Sequence, residues 1–340
     1  MSSVVVIGDW DADGVVASAQ LVYAQEMLGV FPVRSRVSVG LIPSGPRGFR
    51  ERVQGRCWSH VLVVDIPFTS DVDEGLSSML GSGCRFKLYY FDHHKSTVES
   101  VGYVERVYGG LVVTGGFSTS VIVRNFLEKH GIRITPRLKH FVEAVSVIEG
   151  GSRSLSLANG KIIGIVAAIS KHLNRTKDPD VWCKYVRWLA DPIPFDDIEL
   201  RLGIEVPSLI NESLKASKEA DEELKDIATS LAMSAKRVGY VRLVDARGKW
   251  GSRGASALAS AIHKMVGEPV VLLVERTDGI VIVVIRSSRG EAGRIVEALH
   301  ILGLIQDKGG HENIAVARLS NNVTLAHLEN TLLRLSPYIR

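Results

Sequence analysis

Three short β-branched or aromatic runs each stop at a carboxylate, and this restricts the fold more than any other feature. Residues 4–7 (VVVI) lead through Gly8 to Asp9, Asp11 and Asp13; VLVV stops at Asp65; KLYYF stops at Asp92, with His93 and His94 behind it. Carboxylates and imidazoles at the end of a buried run are costly unless something pairs with them. Helix-like stretches separate the runs, over about 14–28 and 71–80, and a further strand is predicted over 33–39. Short apolar runs alternating with amphipathic stretches make a mostly parallel sheet with helices on its faces. In such a sheet, ligands bind in the crevice beyond the carboxyl ends of the strands. Carboxylates far apart in sequence are therefore expected to meet in one crevice.

From 118 onward helices dominate, with predicted spans 118–130, 136–148, 159–173 and 178–189. Pro192 and Pro194 break the helical pattern. A charged stretch over 204–233, with ESLKASKEADEELKD in its middle, reads as an exposed connecting helix. Strands return at 240–244, 270–274 and 280–285, alternating with helices at 253–266 and 291–302. The expected fold class is α/β. The expected order is an N-terminal, mostly parallel domain over 1–190, a helical connector over 191–235 and a smaller α/β domain over 236–340.

A chain of 340 residues has room for two such cores. No apolar run approaches the roughly 20 residues that span a bilayer, and no signal-peptide pattern opens the chain. The expectation is a cytoplasmic protein without a membrane partner. The net charge of +4 permits a polyanionic partner without demanding one. Local arginine groups would have to supply the preference: Arg34, Arg36, Arg47, Arg50 and Arg52 early, and Arg286, Arg289 and Arg294 late. Cys57, Cys84 and Cys183 lie far apart and form no CxxC pair, so neither a disulfide framework nor a structural zinc site is expected.

Unpaired, the carboxylates at the strand ends would repel one another, and a divalent cation is the simplest remedy. Carboxylates with imidazole suit manganese, or magnesium where oxygen dominates. The groups are numerous enough for two ions, and a metal pair suits phosphoryl hydrolysis. A helix N-cap cluster would explain one or two of the first three aspartates, but neither Asp65 nor the Asp-His-His run.

GDWDADG (8–14), VVDIP (63–67) and FDHHKS (91–96) together resemble the DHH phosphoesterase family, and the first motif resembles its RecJ-type nuclease branch. GFSTSVIVRNFL (116–127) resembles the family's Ser-Thr-Ser helix start. VVIRSS (283–288) and KGGHENIAVARL (308–319) resemble its associated C-terminal domain, with an Arg-Ser segment and a glycine-rich loop. The resemblance spans nearly the whole chain in order. It implies Asp11, Asp13, Asp65, Asp92 and His93 as metal ligands, Asp65 bridging two ions and His93 binding directly. It places Asp9 at or near the metals and His94 against the substrate phosphate, so that His94, Asp65 and Asp9 carry catalysis. Arg286, Ser288, Gly309, Gly310 and His311 are implied to bind substrate. The family's fourth-motif aspartate is missing from HFVEAVSVIEGGS (140–152), and Glu149 is the best stand-in.

The implied activity is metal-dependent hydrolysis of single-stranded DNA or RNA by an exonuclease of RecJ type, using Mn2+ or Mg2+. Two alternatives accompany it. One is an oligoribonuclease or cyclic-dinucleotide phosphodiesterase on short substrates, favoured by the chain's compact length. The other is a catalytically weak partner of replication or repair proteins such as a replicative helicase, favoured by the missing aspartate.

Overall fold

The computed structural model describes residues 3–150, 160–192, 207–251 and 254–339. The chain divides into two compact units, Met1–Ser217 and Lys218–Arg340. The division falls inside one helix, Pro207–Met233. Residues 193–206 of the predicted connector lie outside the described residues.

The first unit is built on β1 (Val4–Gly8), β2 (Val39–Pro43), β3 (His60–Val64), β4 (Lys87–Phe91) and β5 (Leu111–Val113), in the order β2-β1-β3-β4-β5. Every pairing is parallel. Alternate residues feed two cores. Val4, Val6, Leu62, Val64, Tyr89 and Phe91 face one side; Val5, Ile7, Val61, Val63, Leu88 and Tyr90 face the other. A parallel sheet covered on both faces has no polar side, which is why its strands read as unbroken apolar runs. The first face is covered by α1 (Ala12–Val22), α5 (Thr119–Lys129), α6 (Pro136–Gly150), α7 (Gly160–Thr176) and α8 (Pro179–Ala190). The second is covered by α2 (Phe49–Val53), α3 (Ser70–Gly81) and α4 (Lys95–Tyr108). Every residue of α1 is buried, as expected of a helix packed between a sheet and four others, α5, α6, α7 and α8.

Two expectations need correction. The sequence predicts a strand over 33–39, but β2 begins only at Val39. Side chains of the π-helical turn Tyr23–Met27 hold the intervening backbone: Gln25 accepts from Val33 N–H and donates to the Ser35 carbonyl, and Glu26 accepts from Val39 N–H. The sequence also predicts no disulfide framework, yet one bond joins Cys57 and Cys84. The reason lies in strand register. β3 and β4 are parallel neighbours with His60 opposite Lys87. Each cysteine stands three residues before its member of that pair, so their separation of 27 residues is the register offset itself. Cys183 is free.

The second unit carries a six-stranded sheet in the order β10-β11-β9-β8-β7-β6, with β6 (Lys236–Val238), β7 (Val241–Asp245), β8 (Val270–Glu275), β9 (Val281–Arg286), β10 (Ile305–His311) and β11 (Ile314–Leu319). Its pairings are antiparallel except β7 with β8. The helices Glu291–Ile301 and Leu325–Ile339 pack on one face and Ala255–Val266 on the other. Gly309 and Gly310, expected in a loop, lie in the edge strand β10, where the register shifts between Gln306 and Gly309. Gly310 has φ 110, and a Cβ there would collide with the Ile314 carbonyl oxygen. The irregular strand therefore needs glycine at this point.

Candidate metal centre

The turn after β1 packs back on itself. A Cβ on Gly14 would stand 2.6 Å from the Asp9 carbonyl oxygen and 2.8 Å from its nitrogen, so GDWDADG needs its last glycine for close approach. Asp11 caps α1, accepting from Gly14 N–H at 3.0 Å. Trp182, fully buried on α8, donates its indole N–H to the Asp9 carbonyl at 2.8 Å. Ser170 on α7 accepts from Ala12 N–H at 2.8 Å. The aspartate turn is thus fixed by two helices more than 150 residues away in sequence.

The N-terminus of α5 receives two of the carboxylates. Asp13 Oδ1 accepts from Ser118 Oγ (2.9 Å) and Ser120 N–H (2.8 Å), and its Oδ2 accepts from Thr119 N–H (2.7 Å). Thr119 Oγ1 donates to Asp65 Oδ1 at 2.8 Å. Orphan amides at a helix start favour negative charge, so the Ser-Thr-Ser segment is a cradle for Asp13. Asp65 directly follows β3 in the left-handed region, with φ 61, while its N–H bonds the Phe91 carbonyl at 2.9 Å. Non-glycine residues in this region carry strain and cluster at functional sites.

Beyond β4, Asp92 is fully buried and both of its carboxylate oxygens are engaged. Oδ1 meets His94 Nδ1 at 2.7 Å, and Oδ2 accepts from the Thr97 hydroxyl. His93 Nε2 lies 3.5 Å from Asp65 Oδ1, and the two imidazole centroids are 4.5 Å apart. Asp65, His93 and His94 offer ligand atoms that all lie within 4.8 Å of one another. Asp92 is joined to this group through His94.

The electrostatics agree with the geometry. Burial raises the Asp65 carboxyl well above the usual range, and Asp13, Asp11, Asp9 and Asp92 raise it further. Burial also lifts Asp9, helped by Asp11, to about 7. Asp13 is raised by burial and by Asp11, against the hydrogen bonds from α5. Burial lowers His93, as does the charge of His94. His94 behaves oppositely: burial disfavours its charge, but the hydrogen bond and charge of Asp92 outweigh it and hold the ring above its ordinary value. Glu149, in the last turn of α6, is raised to about 7 by burial and then by Asp11 and Asp13. That coupling places Glu149 within the field of the same aspartates. Crowded carboxylates that resist ionisation, beside two imidazoles, form a donor set that fits a hard divalent cation.

The remaining predicted residues lie in the second unit. Arg286 ends β9 and donates to the Asn313 carbonyl at 3.1 Å. Ser288 follows it, exposed. Gly309 and Gly310 pair with Val316 and Ala315, and the His311 backbone with Ile314. Sequence reasoning assigned no role to Thr97, Thr119, Ser170 or Trp182. Only Thr119 carried a signal, its place at a helix start behind the acidic motifs.

No protein-family model and no curated protein matches the chain. Solved structures do. RecJ from Thermus thermophilus in complex with Mn2+ aligns with a TM-score of 0.67 at 18% identity, over 99% of this chain and 52% of that one. This chain thus spans about half the length of that RecJ. A DHH domain from a protein described as a member of a ribosomal-protein family aligns with a TM-score of 0.64 at 16% identity, over 98% and 87% of the two chains. A pGpG-specific phosphodiesterase from Vibrio cholerae aligns with a TM-score of 0.57 at 11% identity, over 99% and 100%. The likeness is one of architecture: a parallel five-stranded sheet flanked by helices, followed by a second, mixed sheet.

Proposed function

We propose that this chain, which has a RecJ-like DHH fold, is a metal-dependent phosphoesterase that hydrolyses single-stranded nucleic acid as an exonuclease. The observation that carries the reading is the gathering of Asp9, Asp11, Asp13, Asp65, His93 and His94 beyond β1, β3 and β4, with Glu149 within their field. Residues 1–190 would form the catalytic domain, 191–235 the connector and 236–340 the substrate-binding domain. Asp11, Asp13, Asp65, Asp92, His93 and Glu149 would hold Mn2+ or Mg2+, as two ions. When bound, the ions neutralise the carboxylates and polarise a phosphate. Thr119 and the start of α5 fix Asp65 and Asp13 for that task. Asp92 orients His94, whose raised pKa suits it to hold a proton against a phosphate oxygen. Arg286, Ser288, Gly309, Gly310 and His311 would bind the strand.

The test is release of mononucleotides from a labelled 5′-phosphorylated strand, as DNA and as RNA, with Mn2+ and with chelator. Asp65→Ala and His93→Ala should abolish release while circular dichroism stays unchanged. Full activity in either variant would sink the reading. A second reading, hydrolysis of short oligonucleotides or cyclic dinucleotides, takes support from the likeness to the pGpG-specific phosphodiesterase. Rate against oligonucleotide length separates the two.

A further inference from the structure

Two cations meet at one aromatic ring beside Asp9. Trp10 lies between Asp9 and Asp11 and is 6% exposed. The Lys177 ammonium stands 5.4 Å from its ring centroid and the Arg52 guanidinium 5.8 Å. They arrive from distant parts of the chain, Arg52 from α2 and Lys177 from the turn between α7 and α8. Lys177 occupies a position that suits glycine. It ends α7 with φ 49, its N–H bonded to the Leu173 carbonyl, where a side chain adds strain. Its ammonium donates to Asn174 Oδ1 at 2.9 Å and lies close enough to Asp9 to favour that carboxylate's charge.

We propose that Lys177 and Arg52 form a second phosphate subsite, which takes the phosphate next to the scissile one in a nucleic-acid strand. The proposal rests on the phosphodiesterase reading above and extends it. A crevice lined by Asp9, Asp11, Asp13 and Asp65 repels a polyanion. Cations at its edge offset this repulsion where a strand must pass. An aromatic face attracts a cation through its quadrupole, which leaves N–H groups to bond phosphate oxygens. The competing account makes Lys177 a charge partner of Asp9 and nothing more.

The variants are Lys177→Gly and Arg52→Ala in the full chain. Substrates are a 5′-phosphorylated dinucleotide and the same dinucleotide without its terminal phosphate, with Mn2+. Loss of one charged contact should raise KM for the phosphorylated form roughly tenfold or more. The rise for the other form should be at least threefold smaller. Lys177→Gly should melt no lower than the parent, because glycine suits the left-handed cap. Oligonucleotide affinity, measured with Ca2+ in place of Mn2+, should also depend less on salt, its log–log slope falling by about 0.7 per contact removed. Equal KM changes on both substrates, with an unaltered salt slope, would overturn the subsite. If the parent hydrolyses neither the dinucleotides nor a longer strand, the phosphodiesterase reading fails instead; if it hydrolyses only the longer strand, the salt slope alone decides the subsite.

Discussion

Asp65 bears two costs at once. Its left-handed backbone costs about 1–2 kcal/mol, and its buried carboxyl sits among four other aspartates. Asparagine tolerates that backbone and carries no charge. Asp65→Asn should therefore raise the melting temperature of the chelator-treated protein while abolishing Mn2+-dependent hydrolysis. A lower melting temperature would show that the residue is not under charge strain. The pH dependence follows from Asp9 and Glu149, both lifted to about 7 from 3.8 and 4.5. Between pH 4 and 7 the folded state holds more protons than the unfolded one, so stability falls as pH rises. The contribution is fully present below about 4 and gone above about 7. Without metal, the melting temperature should drop from pH 5 to pH 8, and saturating Mn2+ should reverse the drop. At this scale the charged residues were legible in the sequence, because carboxylates after apolar runs are conspicuous. Their orienting partners were less so: Thr119 shows only as part of the Ser-Thr-Ser helix start, without its role, and Thr97 looks like any hydroxyl residue in a first helical turn. Removing such a partner usually weakens metal binding 10–100-fold. Thr119→Val should do so by calorimetry with the fold intact.

At the scale of elements, β1, β3, α3, β4 and α5 to α8 were readable because burial on both sheet faces leaves the strands beyond His60 and Lys87 apolar. β2 was misplaced because its register depends on Gln25 and Glu26, which no local pattern reveals. α4 escaped because only Thr97, Val104 and Tyr108 of its 14 residues are buried, too thin a stripe to announce a helix. The disulfide was hidden for a related reason: the meeting of Cys57 and Cys84 is a property of strand pairing, and spacing alone carries no trace of it until the register is known. Closing a loop of this size adds on the order of 3 kcal/mol. Replacing both cysteines by serine, or reducing the protein, should cost about that much in denaturant titrations, and no change in midpoint would show that the bond contributes nothing.

The whole molecule holds two units with separate hydrophobic cores. The proposed metal ligands come from the first, so ligand linkage should act on one core more than the other. Calorimetry should resolve two transitions, with Mn2+ at a hundred times its Kd stabilising one by about 2.7 kcal/mol. A single transition that shifts as a whole would mean that the units unfold together. No helix among the described residues is long and apolar enough to cross a membrane. The all-parallel first sheet has a practical consequence. Its carboxyl rim carries the acidic cluster and its amino rim carries the Cys57–Cys84 bond, and a five-residue strand keeps the two about 16 Å apart. A dye or surface tether attached at the exposed Arg85, on the amino rim, should leave the crevice open to solution, which suits the molecule to a single-particle test of the proposed hydrolysis.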